Sequence, residues 1–240
     1  MDHHITGKVS AAKYDWYFLD DKRCATKIVF DYLLKEFKAP LNDYKEWVDT
    51  VNAVDIWLEN EKENFEFGKV LMSMVTKARE INSILFNSLD RDFKFYLLKN
   101  SIGFLSLKDA PIVLDNSVHS LKKEFLKDGF DDTLDNLSAS YLVKSLDKIK
   151  DDLTVYYNGQ KGLMTYCLGA ISIPANSFLR ANSDYDFFID VGRKGNASFR
   201  ADGKLDVSQL ASKWGNGGGH ATASGCKFDD FIQNKLNNLK

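Results

Sequence analysis

A glycine-rich stretch near the C-terminus, Gly215 to Gly225, constrains the fold of this chain more than any other feature. Four of its first five residues are glycine, and His220 follows at once. Glycine loses more backbone entropy on folding than any other residue, so such a cluster indicates that a bare backbone is needed, either for turns with positive φ or for a ligand on main-chain N–H groups. The sequence therefore predicts an anion cradle here. The alternative is a helix stop followed by a flexible turn.

Regular structure is predicted on both sides of the glycine-rich stretch. Asp206 can cap a helix, because apolar residues recur after it at helical spacing, namely Val207, Leu210, Ala211 and Trp214. Residues 221–228 are small and then apolar, which is consistent with a short helical turn or with a strand.

Composition limits the class of protein. At 240 residues, with 44% hydrophobic and 13% aromatic residues, the chain can bury a substantial core. The net charge of -2 gives no global attraction to nucleic acid or to an anionic membrane, so any polyanion site has to be a local basic patch. No apolar run approaches the length of a membrane span. The three cysteines are odd in number and far apart, which is typical of reduced thiols and predicts a cytoplasmic location.

The order of elements predicts an α/β fold. Apolar residues at helical spacing predict one long helix over residues 67–86 and another over 137–149. Beyond residue 150, strand and turn signals alternate with helical ones in the order ββαββα, over segments 153–157, 163–168, 174–181, 187–191, 196–201 and 207–214. Such an order indicates a mixed sheet with helices packed on it.

Two features of the N-terminal part can carry metal chemistry. Asp2-His3-His4 offers a carboxylate beside two imidazoles, a donor mixture suited to Mn²⁺, Fe²⁺ or Zn²⁺, although a polar N-terminus can equally be frayed. The aromatic stretch from Tyr14 to Phe18 is too apolar for a loose tail. Asp55 lies between apolar residues, so it is either a carboxylate with a charged or metal partner or a solvent-facing residue of an amphipathic helix.

Together these stretches resemble the DHH phosphoesterase superfamily, and most closely its oligoribonuclease (nano-RNase) branch. The triplet, the Tyr14-Asp15-Trp16 stretch, the helix from Ala25 and the segment 54–57 follow the family's order. The glycine-rich stretch, with the segment 196–200 before it, resembles the DHH-associated C-terminal domain. The resemblance implies the C-terminal part of a DHH domain over 1–85, a helical connector over 86–150, and a smaller substrate-binding α/β domain over 151–240.

The resemblance implies a two-metal phosphodiesterase, usually Mn²⁺-dependent, that acts on short RNA or DNA oligonucleotides or related small nucleotides. His3 matches a metal-ligand histidine, Asp2 and His4 match neighbours that orient the site or approach the substrate, and Asp55 matches the aspartate that closes the metal site. The family's contacts to phosphate or terminal nucleotide fall on Ser198, Arg200, Gly217, Gly218, Gly219 and His220.

The sequence departs from the family pattern at its start. Family members carry a parallel-sheet half before the triplet, with a His-x-x-x-Asp-x-Asp ligand set. This sequence begins at the triplet. Apart from His3, His4 and His220, its one histidine is His119, which lies in a charged segment. We therefore expect a fragment, a sequence with a misassigned start, or one half of a split enzyme, whose remaining ligands come from the N-terminal half or from a second subunit.

Two other functions remain open at this point. The first is a non-catalytic nucleotide-binding module that retains only the glycine-rich clamp. The second is the C-terminal domain of alanyl-tRNA synthetase-like proteins, which carry a similar glycine-rich loop; the Asp2-His3-His4 triplet and the segment 54–57 count against it.

Overall fold

A computed structural model of the chain describes residues 1–227 and divides into two compact units. The first unit comprises Met1–Ala78 and Asp92–Lys122, and the second comprises Arg79–Arg91 and the residues from Lys123 onward. Residues 86–150, predicted as a helical connector, are mostly helical and are divided between the two units. No helix within residues 1–227 combines the length and the apolar character needed to span a membrane.

The first unit is helical. Its elements are η1 (Ile5–Gly7), α1 (Lys8–Lys13), α2 (Ala25–Phe37), η2 (Asn42–Tyr44), α3 (Lys45–Asp55), α4 (Lys62–Thr76), α5 (Asn87–Ser101), η3 (Ile102–Phe104) and α6 (Ala110–Leu126). The first residues of α5 and the last residues of α6 belong to the second unit. The Cys24 sulfur caps α2 by accepting from the Lys27 N–H, and the Cys24 N–H donates to Oδ1 of Asn52 at 2.9 Å. This second bond joins the start of α2 to the end of α3, the helix that finishes at Asp55.

Helices α3 and α4 pack closely at a glycine. A Cβ atom on Gly68 would lie 2.5 Å from the carbonyl oxygen of Thr50 and 2.7 Å from Cβ of Val54. Glycine is therefore needed at this position because the two helix backbones approach too closely for a side chain. The contact fixes α3, and with it Asp55, against the core of the first unit.

The prediction of one helix over residues 67–86 is wrong. α4 ends at Thr76, and α5 begins only at Asn87. Between them, Oδ1 of Asn82 accepts hydrogen bonds from the N–H groups of Ile84 at 2.9 Å and Leu85 at 2.8 Å. Asparagine offers the backbone this local alternative to a helical hydrogen bond. The apolar spacing persists through the break because Ala78 and Ile81 are still buried.

The second unit is an α/β domain around a six-stranded mixed sheet, which confirms the predicted α/β class. Its elements are α7 (Leu134–Leu146), β1 (Thr154–Tyr157), β2 (Gln160–Tyr166), α8 (Ser172–Ala181), β3 (Phe187–Val191), β4 (Asn196–Ala201), α9 (Val207–Gly215), β5 (Gly218–His220) and β6 (Ala223–Lys227). The strand order is β1-β2-β3-β4-β6-β5, with β2 and β3 parallel and every other neighbouring pair antiparallel.

Helices cover both faces of the sheet. On one face, Phe187 of β3 and Phe199 of β4 pack in a buried cluster with Leu210 of α9. On the other, the ring of Phe188 lies 5.7 Å from that of Phe178 in α8. Successive residues of a strand point to opposite faces of the sheet. Because both faces are covered, the residues of β3 form a nearly continuous apolar run.

The elements around the glycine-rich stretch are confirmed. Oδ1 of Asp206 caps α9 by accepting from the N–H of Ser208 at 3.0 Å. Of the two structures predicted after the stretch, the strand is correct, since β6 covers Ala223–Lys227. The last predicted residue, Phe228, lies outside the described residues.

Candidate functional site

Backbone hydrogen bonds hold the N-terminal triplet in place. The N–H of Asp2 donates to the carbonyl of Phe18 at 2.9 Å, and the N–H of Asp20 donates to the carbonyl of Asp2 at 3.0 Å. Asp2 thereby forms a parallel bridge with Leu19. The triplet is therefore anchored to the segment that follows the aromatic stretch and is not a free tail.

The carboxylate of Asp2 is fully engaged within the triplet. Oδ1 accepts from the N–H groups of His3 at 2.8 Å and His4 at 3.1 Å, and it contacts Nδ1 of His4 at 2.8 Å. Oδ2 accepts from the hydroxyl of Tyr17. These bonds, that of Tyr17 first, hold the pKa of Asp2 well below its usual range, so the group is an anion. An oxygen set committed in this way suits an orienting role rather than metal ligation.

Tyr17 and Gly7 complete this arrangement, and sequence reasoning missed both. A Cβ on Gly7 would lie 2.7 Å from the Tyr17 hydroxyl oxygen and 2.9 Å from Oδ2 of Asp2, so the missing side chain makes room for their hydrogen bond. In return, the Asp2 carboxylate raises the pKa of the Tyr17 hydroxyl. In the sequence, Tyr17 is marked only by its position in the aromatic stretch, which indicates that the segment is packed but does not identify Asp2 as its partner.

The structure brings His3 and Asp55 together. Nε2 of His3 lies 3.1 Å from Oδ2 of Asp55, the last residue of α3. Nδ1 of His3 is buried and has no hydrogen-bond partner among residues 1–227. Buried polar atoms are nearly always paired, so this orphaned nitrogen points to a partner that residues 1–227 do not supply.

These residues fit a divalent metal ion by their donor chemistry. One ligand atom from each of Asp2, His3 and His4 lies within 4.8 Å of the others, and Asp55 adds a carboxylate beside His3. Mixed imidazole and carboxylate donors suit Mn²⁺, Fe²⁺ or Zn²⁺. Because the Asp2 oxygens are already bonded, the donor atoms available for an ion in this cluster are those of His3, Asp55 and the outer nitrogen of His4.

His4 faces outward from the same cluster. Its ring lies 4.1 Å from the ring of His3, and its Nδ1 is held by the ionised Asp2. With 68% of its side chain exposed, the opposite edge of the imidazole is open to solvent. His4 is therefore placed to contact a ligand while Asp2 fixes its orientation.

In the second unit, the strand register places four of the predicted substrate residues on one face of the sheet. Arg200 of β4 pairs with Ala223 of β6, which pairs with His220 of β5. Two residues earlier on β4, Ser198 is aligned in the same way, through β6, with Gly218. Residues opposite one another across strands share a face, and neighbouring strands are about 4.8 Å apart, so Arg200 and His220 flank a strip about 10 Å wide.

The predicted substrate residues on this face make few side-chain hydrogen bonds. Nη2 of Arg200 donates to Oγ of Ser172, the first residue of α8, at 3.0 Å, and Nη1 donates to the carbonyl of Phe199 at 2.8 Å. Ser198 and His220 make no side-chain hydrogen bond in the part of the chain that the structure describes, and His220 is exposed. Donors that the fold leaves unused on one face are available to an anionic ligand.

The glycines differ in why they are needed. A Cβ on Gly217 would lie 2.0 Å from the carbonyl of Gly225, and Gly219 has a φ of +145° with its Cβ position 2.6 Å from the carbonyl of Ala223. Both are required by the close β5–β6 hairpin. A Cβ on Gly218 would meet nothing within 4 Å, so packing does not explain this glycine.

The structure therefore contradicts the flexible turn of the alternative interpretation, while the anion cradle stays a prediction. α9 does stop here, with Asn216 in the left-handed region at a φ of 51°. The flexible turn predicted after it is instead the edge strand β5, whose three residues are all exposed.

Asp190 is a further residue that sequence reasoning missed. Its side chain is only 3% exposed, and Oδ1 accepts from Oγ1 of Thr165 at 3.0 Å and from the N–H of Leu168 at 3.1 Å. Asp190 thereby fixes the segment leading to α8, where Ser172 holds Arg200. An aspartate inside a fully buried strand was the available signal.

No protein-family model matches the chain, but it is similar to two known proteins and to one solved structure. The 3′,5′-cyclic-nucleotide phosphodiesterase of Helicobacter pylori is 43% identical over 236 residues, which cover 96% of this chain and 68% of that protein. Oligoribonuclease NrnB of Bacillus subtilis is 25% identical over 247 residues, covering 97% of this chain and 53% of that protein. The crystal structure of an uncharacterized protein from Helicobacter pylori G27 superposes with a TM-score of 0.86 at 42% identity, covering 100% of this chain and 72% of that one.

The match to the Helicobacter phosphodiesterase covers 96% of this chain, so it extends over both units. The chain spans about half the length of the Bacillus relative. This chain belongs to the DHH phosphoesterase superfamily and is a hydrolase of that type.

Proposed function

We propose that the chain is a metal-dependent nucleotide phosphodiesterase whose substrates are short oligonucleotides, such as nano-RNA, or related small nucleotides. The observation that carries this proposal is the His3–Asp55 contact. Nε2 of His3 is 3.1 Å from the carboxylate of Asp55, while its buried Nδ1 has no partner among residues 1–227. The relatives named as phosphodiesterase and oligoribonuclease support the substrate class.

We propose Mn²⁺ as the metal, held by His3 and Asp55 with Asp2 orienting the triplet. When bound in a two-metal site, such ions activate a water and stabilise the charge of the phosphate oxygens. Two protein ligands are fewer than a two-metal site needs. The proposal therefore includes a further polypeptide segment or subunit that supplies the remaining ligands.

The chain's own residues bind and orient the substrate. Arg200 can leave Ser172 and pair with a phosphate through two parallel N–H groups. His220 and Ser198 add hydrogen bonds from the same face, and the edge strand β5 presents unpaired backbone groups beside Gly218. His4 can contact substrate from the triplet because its outer edge is open.

A second candidate substrate is a 3′,5′-cyclic nucleotide. It is favoured by the name of the relative with 43% identity, whereas the linear oligonucleotide is favoured by the name of the relative with 25% identity. Both substrates are phosphodiesters, so the same phosphate-binding residues serve either one. We also propose a cytoplasmic location, because Cys24, Cys167 and Cys226 are free thiols.

Turnover of both substrates by the chain, together with the segment or subunit that completes the metal site, tests the proposal. This assembled enzyme is incubated with Mn²⁺ and either a 5′-phosphorylated diribonucleotide or 3′,5′-cyclic AMP, and kcat/KM is compared for the two. We expect hydrolysis that stops in EDTA and that Arg200→Ala weakens mainly through KM. Nucleotide binding that persists in EDTA, without turnover of either substrate in Mn²⁺, would instead identify the non-catalytic binding module.

A further inference from the structure

A cavity of about 540 Å³ opens in the second unit beside the start of α8. Its walls come from α7, from the segment before α8 and from the stretch after Ala78; they include Arg79, Asp135, Ser138, Leu142, Leu168 and Ser172. This volume lies within the range of small-molecule sites, about 300–1,000 Å³. The predicted substrate residues do not line this cavity, so it adds a separate surface to the site.

The cavity is adjacent to the proposed phosphate contact. Ser172 lines the cavity, and its Oγ accepts the hydrogen bond from Nη2 of Arg200 at 3.0 Å. A molecule whose phosphate displaces Ser172 from Arg200 would therefore place its next atoms at the cavity mouth.

The charges around the cavity decide what kind of group it accepts. Arg79 brings one positive charge, while Glu80 and Asp135 bring two negative ones, so the walls do not favour a second phosphate. Leu142, Leu168 and Ile173 add apolar surface. A neutral group with a flat apolar face and several hydroxyls fits these walls, because carboxylates accept hydrogen bonds from hydroxyls and apolar side chains pack on a ring. A nucleoside has this chemistry.

One wall of the cavity is fixed before any ligand arrives. The N–H of Leu168 is held by the buried Asp190 at 3.1 Å. Nδ2 of Asn82 donates to the carbonyl of Tyr166 at 3.1 Å and to that of Cys167 at 2.7 Å. A wall held on both sides loses little freedom on binding, and such preorganisation favours affinity.

We propose that this cavity is the nucleoside subsite of the enzyme, taking the base and ribose next to the phosphate that Arg200 holds. This inference rests on the proposed function, in which Arg200 binds a substrate phosphate. It assigns to Ser138, Leu142 and Ile173 the contacts to the neutral part of the substrate. It also assigns Asp190 as a positioning residue that holds the cavity wall.

Filling the cavity tests the subsite. The full chain is titrated with AMP and, separately, with inorganic phosphate by calorimetry. Ser138→Phe introduces bulk from α7, and Ile173→Trp introduces it from α8, where Ile173 is 43% exposed and a larger side chain is tolerated. Ser140→Phe is the matched control, because Ser140 lies on α7 with similar burial but does not line the cavity. Thermal unfolding confirms that each variant is folded.

We expect both cavity variants to weaken AMP binding by about tenfold or more while phosphate binding and the Ser140→Phe control remain at the wild-type level. AMP affinity unchanged in both folded variants would overturn the subsite, and so would an equal loss of AMP and phosphate, which would mean that the variants only disturb Arg200. Arg200→Ala is the separate test of the proposed function. Arg200→Ala should weaken the binding of both AMP and phosphate. If it weakens the binding of neither, Arg200 does not hold the substrate phosphate and the proposed function fails, even where the loss of AMP binding in Ser138→Phe still supports the nucleoside subsite.

Discussion

The hydroxyl of Tyr17 donates a hydrogen bond to Oδ2 of Asp2, and this bond fixes the carboxylate whose other oxygen holds Nδ1 of His4. Gly7 leaves the space in which the two groups meet. The aromatic stretch and the triplet are thus a single arrangement. Through Asp2 it holds the ring of His4 and the N–H groups of His3 and His4, next to the His3–Asp55 contact.

Removing the Tyr17 hydroxyl should impair metal binding more than folding. Residues that orient metal ligands typically change metal affinity or activity by about 10–100-fold when they are mutated. We expect Tyr17→Phe to weaken Mn²⁺ binding within this range in a calorimetric titration, with little change in thermal unfolding. Tyr14→Phe, in the same stretch but with no hydroxyl hydrogen bond in the described residues, is the control. Wild-type Mn²⁺ affinity in Tyr17→Phe would show that Asp2 needs no such support.

The three glycines of the hairpin should respond differently to alanine. Gly217→Ala and Gly219→Ala should destabilise the hairpin, because their Cβ atoms would meet backbone carbonyls at 2.0 and 2.6 Å. Gly218→Ala should leave thermal unfolding unchanged and still weaken nucleotide binding about tenfold, because its added methyl group occupies only the exposed face. Calorimetric titration of Gly218→Ala with AMP measures this. Full affinity in that variant would mean that no ligand lies against Gly218.

The cap of α9 should make stability depend on pH in acid. The pKa of Asp206 is lowered chiefly by the hydrogen bond that its carboxylate accepts from the Ser208 hydroxyl. A carboxyl whose pKa is lowered by folding stabilises the protein above its unfolded pKa of about 4 and loses that contribution as pH falls through the folded pKa. The Tm of Asp206→Ala should therefore lie a few degrees below the wild type at pH 7 and approach it below about pH 4. The exposed Asp152→Ala is the control, and a Tm difference that is constant down to pH 3 would contradict this account.

Gly68 should tolerate substitution far less well than Gly103. An added methyl at Gly68 meets the Thr50 carbonyl at 2.5 Å, whereas one at Gly103 meets nothing within 4 Å. Overpacking of this kind costs about 1–3 kcal/mol, while Gly→Ala at a compatible site is neutral or stabilising by about 0.4–1 kcal/mol. Denaturant unfolding of Gly68→Ala and Gly103→Ala measures both values. Equal stability of the two variants would mean that α3 and α4 separate at little cost.

Much of the second unit could be predicted because its signals are local. The Asp206 cap and the apolar run of β3 each specify their element from neighbouring residues. The α4 helix was predicted too long because periodicity reports burial, and Ala78 and Ile81 remain buried beyond the helix end. Asn82, whose side chain bonds the following N–H groups, carried the missing signal.

The parts of the site that the sequence did not predict depend on long-range pairing. That Tyr17 meets Asp2, and that Asp190 holds Leu168, follows from chain paths that no local pattern specifies. The requirement for Gly217 and Gly219 could be predicted only as a need for bare backbone, since the obstructing carbonyls belong to β6. The catalytic and substrate-binding roles assigned to the triplet, Asp55, Arg200 and His220 stay predictions.

The central claim is that this chain contributes His3 to a metal-dependent phosphodiesterase site. The most direct test is Mn²⁺-dependent hydrolysis of a 5′-phosphorylated diribonucleotide by the enzyme completed with its remaining metal ligands, in which this chain is the wild type, His3→Ala or His119→Ala. His119 is an exposed histidine of α6. The account predicts that turnover and tight Mn²⁺ binding are lost in His3→Ala alone. Hydrolysis by His3→Ala at the wild-type rate, with Mn²⁺ affinity intact, would contradict it.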